Sequence, residues 1–542
     1  MTHDAIVIGA GPNGLTAANT LADAGWSVLV LEANREVGGA VRTADLTAPG
    51  FRNDMFSAFF PFAAASPVLA RLGLREHGLV WAHAPAVVAH PRRDRPAAVL
   101  HRDPDATAAM ADTDEPGDGQ RYLDLYREWM EVSEPLVGAL LAPFPPVRHG
   151  LRLARAAGLD GLREVARTSL LPLQRLLVER FRGEAAGLLF AGNALHADLT
   201  PEMAGSALFG WLLTGLGQQH GFPVPVGGAG EITNALARRA VQRGADVRCG
   251  TAVARIRVEG GCATGVVTDD GDLLTARVVI ADCDAARLLL EMVGVEHLSS
   301  RHVARLGRFQ RGSATFKVDW ALTSPVPWAD PAVASAGAVH IASGMDELVA
   351  ASTQIQRGVV PRHPFLVVGQ MTTADPTRSP AGTESMWAYT HVPQDVRGDA
   401  GDDDLTGRWT PAEAERFAAR IEARIEEHAP GFTERIVGRH VMAPPDLERH
   451  NRNLVGGDIS GGTNQIHQMA VFRPLPGWSR AETPIENLYL GSASAHPGGG
   501  VHGACGHNAA RAALAHHPVL RARRRLSNLG GGARNGEGAR TS

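Results

Sequence analysis

The chain has 542 residues, 44% hydrophobic and 20% charged, with a net charge of −4. That balance suits a globular protein and supplies no bulk attraction to nucleic acid, and the length predicts two intertwined domains. No run reaches about 18 uninterrupted apolar residues, so no transmembrane helix is expected. Cys249, Cys262, Cys283 and Cys505 form no C-x-x-C or C-x4-C pair. This points to a reducing compartment and argues against disulfide-reductase chemistry, which needs a close cysteine pair.

Residues 4–33 carry a βαβ pattern: an apolar run Ile6-Val7-Ile8, a helix over about 13–24 closed by Gly25, and a second apolar run Val28–Leu31. The first strand begins near Asp4 and leaves no room for a targeting segment, so a cytoplasmic location is expected. Gly9, Gly11 and Gly14 form G-x-G-x-x-G at the strand end. Gly9 allows a tight turn, Gly11 a close approach to pyrophosphate, and Gly14 close helix–strand packing. The helix N-terminus then offers N–H groups and a positive dipole end to phosphate. Glu32, at the end of the second strand, is placed to accept hydrogen bonds from a ribose diol and to repel a 2′-phosphate. Together these predict a site for the ADP half of a dinucleotide.

Residues 100–120 read as an acidic loop and 121–220 as helical. Within 148–175, five arginines (148, 152, 155, 163 and 167) alternate with leucines. That pattern fits either a solvated face over a core or a peripheral membrane contact. His196 and Asp198 follow Asn193 at a helix–loop junction, where His196 reads as a pocket residue and Asp198 as the cap of a helix with Pro201 in its first turn. A helix over 230–243 follows the turn Gly227-Gly228. Strands at Val253–Val258, Ala263–Thr268 and Arg277–Ile280 are joined by Gly260-Gly261 and Asp270-Gly271. Residues 300–470 mix strands, Pro-rich loops and one charged helix over about 411–428. Lys317, the sole lysine, lies in the strand-like stretch Gly312–Val318 and is either a surface residue on an edge strand or part of the site. Near the C-terminus come a strand, the glycine run Gly498-Gly499-Gly500, and a helix from about Gly503. His496, His502, Cys505 and His507 match no standard metal-ligand spacing, and His502 is placed to face the bound groups. The basic, Gly-rich tail from Arg521 reads as disordered.

Arg35-Glu36-Val37-Gly38-Gly39 with Arg42 and Thr43, and the segment Asn487–Leu514, resemble two flavin motifs of the amine-oxidase and phytoene-desaturase superfamily. His196–Leu199, Pro445–Glu448 and Gly456–Asp458 resemble the branch named for the pyridine nucleotide-disulfide oxidoreductase domain-containing protein 2. The resemblance spans about 3–520. It implies FAD, held at Gly9, Gly11, Gly14, Glu32, Ala33, Gly38, Gly39, Arg42, the backbone at Val253, Gly491, Ser492, Gly499, Gly500 and Val501. Ser492 stands where the superfamily often has an acidic residue. The resemblance also implies a catalytic set of Lys317, His502 and His196, with Lys317 positioning water by the flavin as in amine oxidases.

The expected fold is α/β: a Rossmann-like FAD domain of discontinuous segments (1–65, 225–300 and 480–520) with an inserted α+β substrate domain (66–224 and 301–479). The expected activity is dehydrogenation, or isomerisation through reduced flavin, of a sizeable apolar, polyene- or lipid-like small molecule, with an unspecified electron acceptor and no nucleic-acid partner. Two rivals are a flavin amine oxidase and a non-catalytic lipid carrier of the dissociation-inhibitor type.

Overall fold

A computed structural model describes residues 3–517; the tail from Arg521 lies outside them. Two seven-stranded sheets organise the chain. The first is built around β1 (His3–Ile8), which runs parallel to both β2 (Val28–Leu31) and the strand Leu273–Ala281. Parallel neighbours need a crossover, and α1 (Pro12–Asp23) supplies the one between β1 and β2. Ala5, Ile6 and Val7 have no exposed surface, as a parallel strand covered on both faces requires. The hairpin strands Val253–Glu259 and Cys262–Thr268 extend one edge and Asp246–Arg248 ends the other, while Leu488–Leu490 also pairs with Leu273–Ala281. Three distant stretches of sequence thus close one sheet, and the carboxyl ends of its strands face the glycine turns.

The second sheet runs in the order Ile436–Met442, Ala314–Leu322, Glu384–Val392, Leu366–Gln370, Ala336–Ile341, Ala86–His90, Ala98–Leu100. Strand alternation divides its faces. Phe316, Val318 and Trp320 pack with Phe417 and Ile421 of the helix Pro411–Glu426, which leaves Thr315, Lys317 and Asp319 on the opposite side. On that side Val367, Trp387 and Val88 join a core with the helices Ala185–Leu195 and Ser206–His220.

The structure corrects several expectations. Residues 100–120 are not a loop: Pro104–Asp114 is a helix and another starts at Asp118. Asp103 caps the first through the Asp105 N–H, Pro104 occupies its first position, and Thr107, Ala108 and Ala111 bury its inner face, which outweighs the acidic composition. No helix follows Asp198; it sits in a turn at φ 57°, and its carboxylate accepts the Ser313 N–H at 2.6 Å. The charged helix at 411 is also accompanied by Met345–Gln356, which packs Leu348 and Ala351 inward.

The Arg/Leu segment forms the helix Val147–Thr168, broken at Gly158 (φ 67°). It buries Leu153 and Val165 and exposes Val147, Leu151 and Leu159 beside Arg148, Arg152 and Arg155. Arg163 and Arg167 pair with Asp160, Glu164 and Glu179. Among the described residues no helix is long and apolar enough to cross a membrane.

Candidate dinucleotide and active site

The site starts at the end of β1. Gly9 turns the chain at φ 96°, and Gly11 precedes α1, whose first residue is Pro12. The helix packs so tightly on the turn that a Cβ on Gly14 would lie 2.0 Å from the Gly9 carbonyl oxygen. Glu32 is buried at the end of β2. One carboxylate oxygen accepts the Ala10 N–H at 2.8 Å; the other accepts the backbone and side-chain N–H groups of Asn34. Its acceptor is thus fixed in place beside the glycine turn, while Ala33 is exposed. The Gly38-Gly39 loop folds back on this turn. The Gly38 N–H donates to the Ala10 carbonyl, and a Cβ on Gly39 would come within 3.0 Å of the Gly11 Cα. Two backbone-only surfaces therefore meet around the free first-turn amides of α1, which is the cradle a pyrophosphate needs. The Gly250 and Thr251 N–H groups bond the Asn34 and Glu32 carbonyls, which sets Val253 just beyond this end of the groove.

Arg42 is buried, donates to the Gly39 and His450 carbonyls, and lies 5.6 Å from the Phe56 ring centre. Burial lowers its pKa from the ordinary guanidinium value. Opposite, the C-terminal motif continues the sheet: the Gly491 N–H donates to the Ala281 carbonyl. Ser492 is buried, and its hydroxyl accepts the Ser494 N–H. A Cβ on Gly499 would lie 3.2 Å from the Ser460 carbonyl oxygen, and one on Gly500 3.3 Å from Phe62. Val501 adopts φ 52°, a left-handed conformation that a β-branched residue holds only under constraint and that is worth about 1–3 kcal/mol of strain. His502 is buried against Phe62, and its Nδ1 accepts the Ala504 N–H. Burial holds the imidazole neutral, with a pKa down to about 4.

His496 and His507 bond the Ala142 carbonyl and the Thr20 hydroxyl, in different directions. Among the described residues no cluster of three ligands is placed to hold a metal. All four cysteines are free, and burial pushes the Cys283 and Cys505 thiols up to about 12, far from reactive thiolates.

No motif in the sequence marks the residues that support this cradle. Arg473 has no exposed surface and donates to the carbonyls of Ser460, Gly461, Thr463 and Ala493, tying the 460–463 loop to the flavin motif. Asp458 accepts the Ser460 and Gly462 N–H groups from the same loop. Asp284 holds Arg311 bidentately and accepts the Ser494 hydroxyl. The stretch from His450 to Arg473, inside the expected substrate segment 301–479, therefore also serves the cradle.

Lys317 is buried in the interior of the second sheet, between Ile436–Met442 and Glu384–Val392, so the edge-strand reading fails. Its Nζ pairs with Asp319 and lies 5.8 Å from the centre of the Trp387 ring. Burial raises the Asp319 carboxyl to about 6, and the Lys317 charge opposes that rise. A second buried pair, Asp54–Arg378, lies close enough to act on Asp319, and Asp54 also accepts the Thr43 hydroxyl and the Ala229 N–H.

His196 is half-buried, 2.7 Å from the Nε2 of His340, with one ring donating and the other accepting. Burial takes the His196 pKa down to about 4. Phe59 bridges the two groups, since it contacts both Phe222, which packs on His196, and Trp387, which packs on Lys317.

Residues 13–298 match the family of flavin containing amine oxidoreductases. Mouse pyridine nucleotide-disulfide oxidoreductase domain-containing protein 2 is 28% identical, over 94% of this chain and 92% of its own. A limonene dehydrogenase polypeptide of Castellaniella defragrans is 25% identical over 94% of each chain. Putrescine oxidase bound to putrescine superposes with a TM-score of 0.60 at 17% identity, over 95% of this chain and 99% of that one, a likeness of fold alone. Since the matched family covers more than half of the chain and its flavin cradle is intact here, the chain belongs to the flavin containing amine oxidoreductase family and is an FAD-dependent oxidoreductase.

Proposed function

We propose that this oxidoreductase dehydrogenates, or isomerises, a sizeable apolar substrate lying between the flavin cradle and the Lys317 face of the second sheet. The observation that carries this reading is the chemistry of that face. Phe59, Phe62, Phe222 and Trp387 are aromatic, the His196 and His502 imidazoles are neutral, and the charges of Lys317, Asp319, Asp54 and Arg378 are spent on one another. An amine site would instead leave a carboxylate or an open aromatic slot for the cation. Trp387 and Tyr389 stack on each other at 6.0 Å and leave no such slot between them. The limonene dehydrogenase relative is named for an apolar substrate. When bound, FAD supplies the hydride acceptor, and the chain's residues orient the C–H bond and exclude water.

The test is anaerobic mixing of the FAD-loaded protein with a monoterpene hydrocarbon, a polyene and a primary diamine. Bleaching of the flavin absorbance by one of the hydrocarbons is expected. Bleaching by the diamine alone, with hydrogen peroxide on readmission of air, would establish the amine-oxidase reading instead.

Lys317 can be separated into structural and chemical parts. Lys317→Met alone leaves Asp319 buried without its partner and is expected to cost about 3–5 kcal/mol. The loss should be larger at pH 8 than at pH 5, because Asp319 can take up a proton below about 6. Lys317→Met with Asp319→Asn keeps the site neutral and should restore most of that stability in urea unfolding. If Lys317 serves the flavin, the double variant will fold and bind FAD yet show at least about tenfold slower flavin reduction or reoxidation; unchanged rates would confine Lys317 to a structural role.

A further inference from the structure

We propose that Asp282 sets the chain's affinity for FAD through a proton: it stays protonated while the diphosphate occupies the glycine turn, so that FAD binding takes up a proton. The cofactor site above is presupposed; the inference adds a residue that the glycine motifs do not contain.

Asp282 directly follows the strand Leu273–Ala281, and its backbone N–H donates to the Ile8 carbonyl, which pins it beside the end of β1. Its side chain enters the glycine turn. One carboxyl oxygen accepts the Gly14 N–H at 3.0 Å, and a Cβ built on Gly11 would come within 3.0 Å of the same oxygen. A Cβ on Gly9 would lie 3.3 Å from the Asp282 Cβ. All three glycines of the motif therefore surround this carboxyl. It takes one of the first-turn amides of α1, next to those that a diphosphate needs, and it is half-buried in the wall of the groove.

A carboxylate and a diphosphate this close repel each other, and little nearby charge can offset the repulsion. Glu32, on β2, is a further negative group and raises the Asp282 pKa. Along its own segment, Cys283 is a neutral thiol, Asp284 is neutralised by Arg311, and Arg287 is drawn to Glu291. On the C-terminal helix, Cys505 is also a neutral thiol. Desolvation is the largest influence on Asp282, with the Gly14 N–H opposing it, and brings the carboxyl to about 7 before any phosphate arrives. Two fixed phosphate charges push it further in the same direction. At and above neutral pH the chain must therefore bind a proton when it binds FAD.

The test uses the full-length FAD-loaded protein diluted into buffers from about pH 6 to 9, with released FAD read by its fluorescence. The wild type should hold FAD less tightly as pH rises above about 7, by up to about tenfold per pH unit. Asp282→Asn keeps the acceptor for the Gly14 N–H and removes the charge. Its affinity should be flat with pH and tighter than wild type at pH 9. A flat wild-type profile, or a variant with the wild-type slope, would overturn the proposal. Should Asp282→Asn fail to fold, an indicator dye in weakly buffered solution at pH 8 reads the wild type directly. Release of close to one proton per FAD released is expected, and none would overturn the proposal. Failure of the cofactor assignment itself looks different: no FAD is bound at any pH.

Discussion

Gly14→Ala should leave the chain without bound FAD. The new Cβ would stand 2.0 Å from the Gly9 carbonyl oxygen and 3.0 Å from its carbon, and both are backbone atoms that cannot swing aside. Either α1 must move away from β1 or the turn must open. The first is resisted by Leu15, Ala17, Ala18 and Leu21, which have no exposed surface. The second displaces the amides that meet the pyrophosphate. Overpacking of this kind costs about 1–3 kcal/mol or more, and it acts at the point of cofactor contact. The ratio of flavin to protein absorbance should fall close to zero while the far-ultraviolet spectrum still reports a folded chain. Gly150→Ala is the control, since a Cβ there meets nothing within 4 Å in a helix, and it should keep FAD and gain about 0.5–1 kcal/mol. Full flavin content in Gly14→Ala would show that helix and strand need not approach this closely.

Arg473→Met should give the second large loss. The guanidinium is wholly buried and satisfies carbonyls from two separate loops, at Ser460, Gly461, Thr463 and Ala493. Methionine fills similar volume but donates nothing, and each buried acceptor left unpaired costs about 1–3 kcal/mol. Lysine cannot replace the planar fork, so Arg473→Lys should recover only part of the loss. The melting temperature should fall, and FAD should leave faster than from the wild type, because the 460–463 loop backs Gly499. A lower melting temperature with unchanged FAD release would make Arg473 a general core residue with no part in the cradle.

These two residues also mark what the sequence could and could not disclose. Gly14 was legible because its role is local: strand, turn, helix and Glu32 fall within one short stretch whose spacing is dictated by a dinucleotide. The hairpin strands from Val253 to Ala281 were legible for the same reason, with glycine turns between alternating runs. Arg473 was not, because a buried arginine that bonds carbonyls of distant loops leaves no periodic trace. The helix Pro104–Asp114 was missed because its acidic residues masked a cap and an inner face of small residues that only its neighbours reveal. Asp198 misled in the opposite way: a cap-like sequence with Pro201 beyond it serves the Ser313 N–H instead. Lys317 could be singled out as the sole lysine, but its partner Asp319 and its place inside the sheet depend on strand pairing far along the chain.

The central claim is that this one chain builds a complete FAD site. The most direct measurement is the absorbance spectrum of the purified protein, followed by acid release and identification of the flavin. The structure predicts close to one FAD per chain, reduced anaerobically and reoxidised when an acceptor is supplied. A folded protein that shows no flavin bands, and takes up none when FAD is added, would contradict it.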